Sequence, residues 1–88
     1  MCKVNVGKDV KTFQDLQNLI TCIILTHRGN FSEKEITANI NSKLEGSRFH
    51  NDESIKPMIH KTIMILEYNN KLLYRNGSYR YQGALAML

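Results

Sequence analysis

The chain contains one proline, Pro57, and no stretch rich in Pro, Gly or Ser. It therefore lacks the composition of a flexible linker, and 88 residues read as one domain. No internal repeat or low-complexity tract is present. No apolar run reaches the roughly 20 residues of a membrane span. The first residues, Met1-Cys-Lys-Val-Asn-Val6, lack the apolar stretch and cleavage site of a secretory signal, so the expectation is a cytoplasmic protein. The two cysteines, Cys2 and Cys22, are read in that setting as reduced thiols. There is no Gly-rich phosphate loop, no recognisable pair of carboxylates and no Cys/His arrangement for nucleophilic chemistry. The chain is not read as an enzyme, and no cofactor is implied. His27, His50 and His60 have no ligand spacing with Cys2, Cys22 or the carboxylates, so no metal site is expected.

What is present is positive charge and clear patterning. Twelve Lys and Arg against eight Asp and Glu leave a formal charge of +4 and a pI near 9.2, which favours a polyanionic partner. A hydrophobic content of 42% suffices for one small core, although small domains bury less of their surface and are marginal. The strongest local signal is Asn76-Gly77 between Leu72-Leu-Tyr-Arg75 and Ser78-Tyr-Arg-Tyr81. A two-residue type I′ turn needs positive φ at both central positions, which Asn-Gly supplies. Pairing outward sets Arg75 opposite Ser78, Tyr74 opposite Tyr79, Leu73 opposite Arg80 and Leu72 opposite Tyr81. Leu72, Tyr74, Tyr79 and Tyr81 then share a face able to cover a core. Arg75, Ser78 and Arg80 share the other with Leu73.

Three helices precede this hairpin. Residues 1 to 11 are polar and aperiodic and read as an arm, with room for a short strand at Val4 to Val6. Thr12 opens a first helix over about 13 to 28, with Asp15 in capping-box position and Gly29 as the stop. Its inward positions are Phe13, Leu16, Leu19, Ile20, Ile23, Ile24 and His27. His27 is placed at the helix end, where a cation suits the dipole. Phe31 is a lone apolar residue, enough for a bridge. Ser32-Glu-Lys-Glu35 is a full capping box for a second helix over about 33 to 44, with Ile36, Ile40 and Leu44 inward. A polar connection follows, anchored by Phe49. Ser54 is the expected cap of a third helix over about 55 to 69, with Pro57 in its first turn. Its inner face is Ile55, Met58, Ile59, Thr62, Ile63, Ile65 and Leu66.

The order helix, bridge, helix, connection, helix, hairpin resembles the winged helix-turn-helix superfamily. Gly29-Asn-Phe-Ser32, the box-capped second helix and Leu72 to Tyr81 as the wing carry the resemblance. It covers about residues 12 to 82, between the arm and an apolar tail at 83 to 88. The expected fold class is mainly α with a small β-hairpin. The resemblance implies double-stranded DNA as partner and a role in transcription regulation, with a minority of such domains binding proteins or RNA instead. The alternative is therefore a protein-interaction module that docks through the Met64 and Tyr68 side of the third helix.

In that superfamily the third helix enters the major groove and the wing lies on the backbone or in the minor groove. The outer face of the third helix holds Lys56, Pro57, His60, Lys61, Met64, Glu67 and Tyr68. Lys56, His60 and Lys61 are the candidate contacts there, and Arg75, Asn76, Ser78 and Arg80 are those of the wing. Arg28, Lys34 and Arg48 are candidate backbone contacts. A solvated helix face, and charge that protects a sheet edge, are the plain readings of the same residues. The tyrosines are expected to pack on the core rather than to stack on bases. Cys22 and Leu25 lie opposite the core stripe of the first helix. With Leu85, Met87 and Leu88 they are candidates for a homodimer interface, or for pairing with each other inside one chain.

Overall fold

A computed structural model describes residues 9–81 of the chain. Three helices, α1 (Phe13–Thr26), α2 (Glu33–Lys43) and α3 (Ile55–Tyr68), precede two antiparallel strands, β1 (Leu72–Arg75) and β2 (Ser78–Tyr81). The three helices pack pairwise and β1 leans on α3.

Local chemistry explains where two of the helices begin. Thr12 accepts from the Asp15 backbone N–H while the Asp15 carboxylate accepts from the Thr12 backbone, closing a capping box. Ser32 and Glu35 do the same for α2. Each box satisfies N–H groups that the helix itself leaves open. The backbone N–H groups of Lys11 and Thr12 hold the Asp15 carboxyl below its ordinary titration range.

The third start is different. Ser54 sits in helical conformation and makes no side-chain cap, contrary to the sequence expectation. Its own N–H is taken by Asp52, whose carboxyl is lowered by that contact. Tight turns, Ile55 to Asp52 and Lys56 to Glu53, lead into α3 in place of a cap. Before them Asn41 grips Asn51, accepting from its backbone N–H at 2.7 Å and donating to its side-chain oxygen at 2.8 Å. This clamp holds Asn51 at φ 60°, a left-handed conformation that asparagine tolerates.

The hairpin has the expected register: Leu72 with Tyr81, Leu73 with Arg80, Tyr74 with Tyr79, Arg75 with Ser78. Asn76 and Gly77 have φ of 54° and 81°, the signs that a type I′ turn demands. Phe31 pairs with Tyr79 as an isolated bridge, with N···O distances of 2.9 and 2.7 Å. The segment between α1 and α2 thereby joins the sheet.

The core gathers Leu16, Ile20, Ile24, Phe31, Ile36, Ile40, Leu44, Phe49, Ile59, Ile63 and Leu72, with Met58, Leu66, Tyr79 and Tyr81 packed against it. Several expectations are corrected here. Val10, assigned to the arm, is buried, because Ser47 Oγ and Arg48 hydrogen-bond the carbonyls of Val10 and Lys11 and draw the chain inward. Phe13 and Ile65, assigned to the core, are 57% and 50% exposed. Phe13 lies at the first turn and covers Phe49 from outside, and Ile65 is on the margin of its stripe. The first helix ends at Thr26, earlier than Gly29 suggests, because His27 is already extended. His27 is the C-terminal cap residue of α1, at the helix end as expected; its ring meets Phe31 edge-on at 5.1 Å, and its Nδ1 is buried without a hydrogen bond among the described residues. Cys22 is disulfide-bonded, so it is not the reduced thiol expected; a disulfide depends on how closely two backbone positions approach, which spacing does not reveal. The expected short strand at Val4 to Val6 and the apolar tail at 83 to 88 lie outside the described residues. No helix among the described residues is long and apolar enough to cross a membrane.

Candidate functional site

Two internal ties set the position of α3. Gln17 on α1 donates to Thr62 Oγ1 at 2.9 Å, and Thr62 donates to the Met58 carbonyl at 2.8 Å, so the buried hydroxyl is satisfied. Beneath it Ile59 and Ile63 are fully buried. With the inner face fixed, Lys56, Pro57, His60, Lys61, Met64 and Tyr68 are exposed and Glu67 is half-exposed.

The exposed face carries interleaved charge. Lys56 Nζ lies 3.1 Å from Glu53, on the turn before the helix. His60 Nδ1 lies 3.0 and 3.2 Å from the two carboxylate oxygens of Glu33 at the start of α2. Lys61 has no ion-pair partner among the described residues. Between α2 and the start of α3 runs a groove of about 540 Å³, where Glu33, Asp52 and Glu53 alternate with Lys34 and Lys56. The first half of α3 therefore does not present uninterrupted positive charge.

The hairpin adds a second patch. Arg75, Ser78 and Arg80 share its outer face with Leu73 and, together with Asn30 and Asn76, line a shallow hollow. Neither arginine has a carboxylate partner among the described residues. Asn30 was not foreseen; it follows from the Phe31 bridge, which seats the preceding residue beside β2. On the opposite face Tyr79 stacks on Phe31 at 5.9 Å and meets Tyr74 at 4.8 Å. Burial raises the Tyr79 phenol above its ordinary range, and the carboxylates of Glu67 and Glu33 add to the effect. Those two acids therefore act where α3, α2 and the hairpin converge. Tyr74 shares the inward face as expected, but it lies next to the turn and is 52% exposed instead of covering the core.

The structure thus brings Lys56, His60 and Lys61 onto one helix face and Arg75, Asn76, Ser78 and Arg80 onto the outer hairpin. Arg48 is differently employed: its guanidinium lies 4.6 Å from the Phe49 ring centre, and it donates to Lys11. The dimer candidates fall partly outside the described residues. Cys22 and Leu25 are half-buried, Cys22 is in a disulfide, and Leu85 and Leu88 lie outside the described residues. Among the described residues the exposed large apolar side chains are Phe13, Met64, Ile65, Tyr68, Leu73 and Tyr74. Glu33 also escaped the sequence reading, since nothing local links it to a histidine 27 positions away. No group of three or more His, Cys, Asp or Glu among the described residues is placed to hold a metal ion. No protein-family model, curated protein or solved structure matches the chain.

Proposed function

We propose that this domain binds duplex DNA, using α3 and the outer face of the hairpin in the manner of the winged helix-turn-helix proteins it resembles, and that it acts as a small transcriptional regulator. The observation that carries the reading is the unpaired positive charge on both elements: Lys61 on α3 and Arg75 and Arg80 on the hairpin, all exposed and without carboxylate partners among the described residues. A net charge of +4 supports it. The roles divide by chemistry. Arg75 and Arg80 suit phosphates or a narrow minor groove. Lys61 suits a phosphate at the groove edge. Lys56 contributes less because Glu53 already neutralises it. Glu33 and Glu67 repel phosphate near Tyr79, so the backbone is expected to pass on the hairpin's outer side.

Fluorescence anisotropy with a labelled duplex of random sequence tests this. Binding at low salt that weakens linearly in log-log form as salt rises is expected, with each phosphate contact adding about 0.9 to the slope.

A second reading has its own observation. Met64, Ile65 and Tyr68 are 48%, 50% and 87% exposed on the second half of α3. That surface suits docking on a protein. Absence of any duplex binding at low salt would favour it over the DNA reading.

A further inference from the structure

The Glu33–His60 contact constrains a proton as well as a distance. Both carboxylate oxygens lie within hydrogen-bonding distance of the same ring nitrogen, Nδ1. A bare lone pair on Nδ1 would face a negative carboxylate, so Nδ1 must carry the hydrogen. In the neutral imidazole the other nitrogen, Nε2, is then an acceptor only. Nε2 has no hydrogen bond among the described residues, and the His60 side chain is 58% exposed. Without a partner, a neutral histidine in water prefers the opposite tautomer. The charged groups around it are Lys34 beside Glu33 on α2, Lys56, Lys61 and Glu67 on α3, and Glu53 on the turn before it. Lys56 is engaged by Glu53, and only Glu33 reaches the ring.

We propose that Glu33 is a positioning residue for His60, holding its neutral ring in the Nδ1–H tautomer so that Nε2 is presented to the partner as a hydrogen-bond acceptor. This deepens the DNA reading and rests on it for the identity of the partner. An acceptor on the exposed face of α3 cannot bind a phosphate oxygen or the N7 and O6 of guanine. It fits the exocyclic amino groups of adenine and cytosine, the donors on the floor of the major groove. His60 is thereby a reader of amino-bearing bases, and Glu33 decides which kind of base it reads.

The tautomer is read directly by long-range proton–nitrogen NMR of the imidazoles in the full chain, at a pH of about 8.5, above the range in which imidazoles ordinarily titrate. The wild type should show Nε2 without hydrogen. Glu33→Ala should shift the ring toward Nε2–H. Glu33→Gln should keep the wild-type pattern, because its amide oxygen still accepts. A wild-type ring in the Nε2–H form, or one unmoved by Glu33→Ala, would overturn the proposal.

Selection from random duplexes tests the base reading. The wild type should prefer adenine or cytosine at one position of the contacted strand. His60→Ala should reduce that preference about tenfold, and Glu33→Ala should move it toward guanine. A site unchanged by His60→Ala overturns the base-reading part. If the NMR pattern is as expected but no duplex is bound, the DNA reading fails while the Glu33–His60 lock stands. If duplex is bound but the tautomer is wrong, the lock alone fails.

Discussion

The two halves of the outer face of α3 are built on opposite plans. In the first, from Lys56 to Lys61, Lys56 is paired with Glu53 on the preceding turn and the His60 ring is held by Glu33 of α2. In the second, from Met64 to Tyr68, large apolar side chains stand in water with no cover among the described residues. The first half is anchored by the buried Ile59, whereas the second has only the half-buried Leu66 turned inward. Compensated charge stays soluble and tunes a polar encounter, whereas bare apolar surface is a cost unless something covers it.

The sharpest break of the comparison is at its joint. Ile63 is fully buried between the halves, and Ile63→Ala should cost about 2–5 kcal/mol in urea unfolding. Ile65→Ala, two residues on and half-exposed, should stay below about 1 kcal/mol. Equal losses would show that the second half is not exposed.

Salt dependence separates paired from unpaired charge. Changing Arg75 and Arg80 together to Ala should lower the log-log slope of duplex binding by up to about 2. Lys61→Ala should lower it by about 0.9, and Lys56→Ala by less, since its counterion is already Glu53. In the same assay Tyr68→Ala should change duplex affinity by less than about threefold, as for a surface change outside the contact. A large loss at Tyr68 would place the partner on the apolar half.

The starts of neighbouring helices differ too. Ser32 caps α2 and Ser54 caps nothing. Ser32→Ala should cost about 1 kcal/mol in thermal or chemical unfolding, and Ser54→Ala only a few tenths.

The smallest effect is alkaline. The Tyr79 phenol keeps its proton to higher pH in the folded chain than in the unfolded one. The stability it contributes is complete below the unfolded value, about 10, and is lost as pH rises through the higher folded value. Ultraviolet titration should show a late-ionising tyrosine that Tyr79→Phe removes.

Much of this architecture was legible in the chain because its signals are local. Asn76-Gly77 specifies a turn, and with it the register of eight residues. Ser32 and Glu35 specify a cap three residues apart. The hairpin cations followed from strand alternation alone. What was not legible is a neighbouring acid competing for a cap position, and the meeting of distant segments. Ser54 looks like a cap until Asp52 is seen to take its N–H. Val10 looks like part of an arm until Ser47 and Arg48 hold the carbonyls beside it. The partner of His60 was hidden for the same reason: a contact across 27 positions leaves no periodicity to read.

The bridge between Phe31 and Tyr79 has a consequence for the order of events during synthesis. It joins positions 48 residues apart, 79 minus 31, with two backbone hydrogen bonds. Helices α1 to α3 can form and collide while the chain is still growing, but the loop closed by this bridge cannot shut until residue 79 has emerged. Closing it carries an entropic cost that local contacts avoid. The buried Phe31 side chain must therefore wait for its stacking partner, and hydrogen–deuterium exchange during refolding should protect the Phe31 and Tyr79 amides after those of the helix interiors.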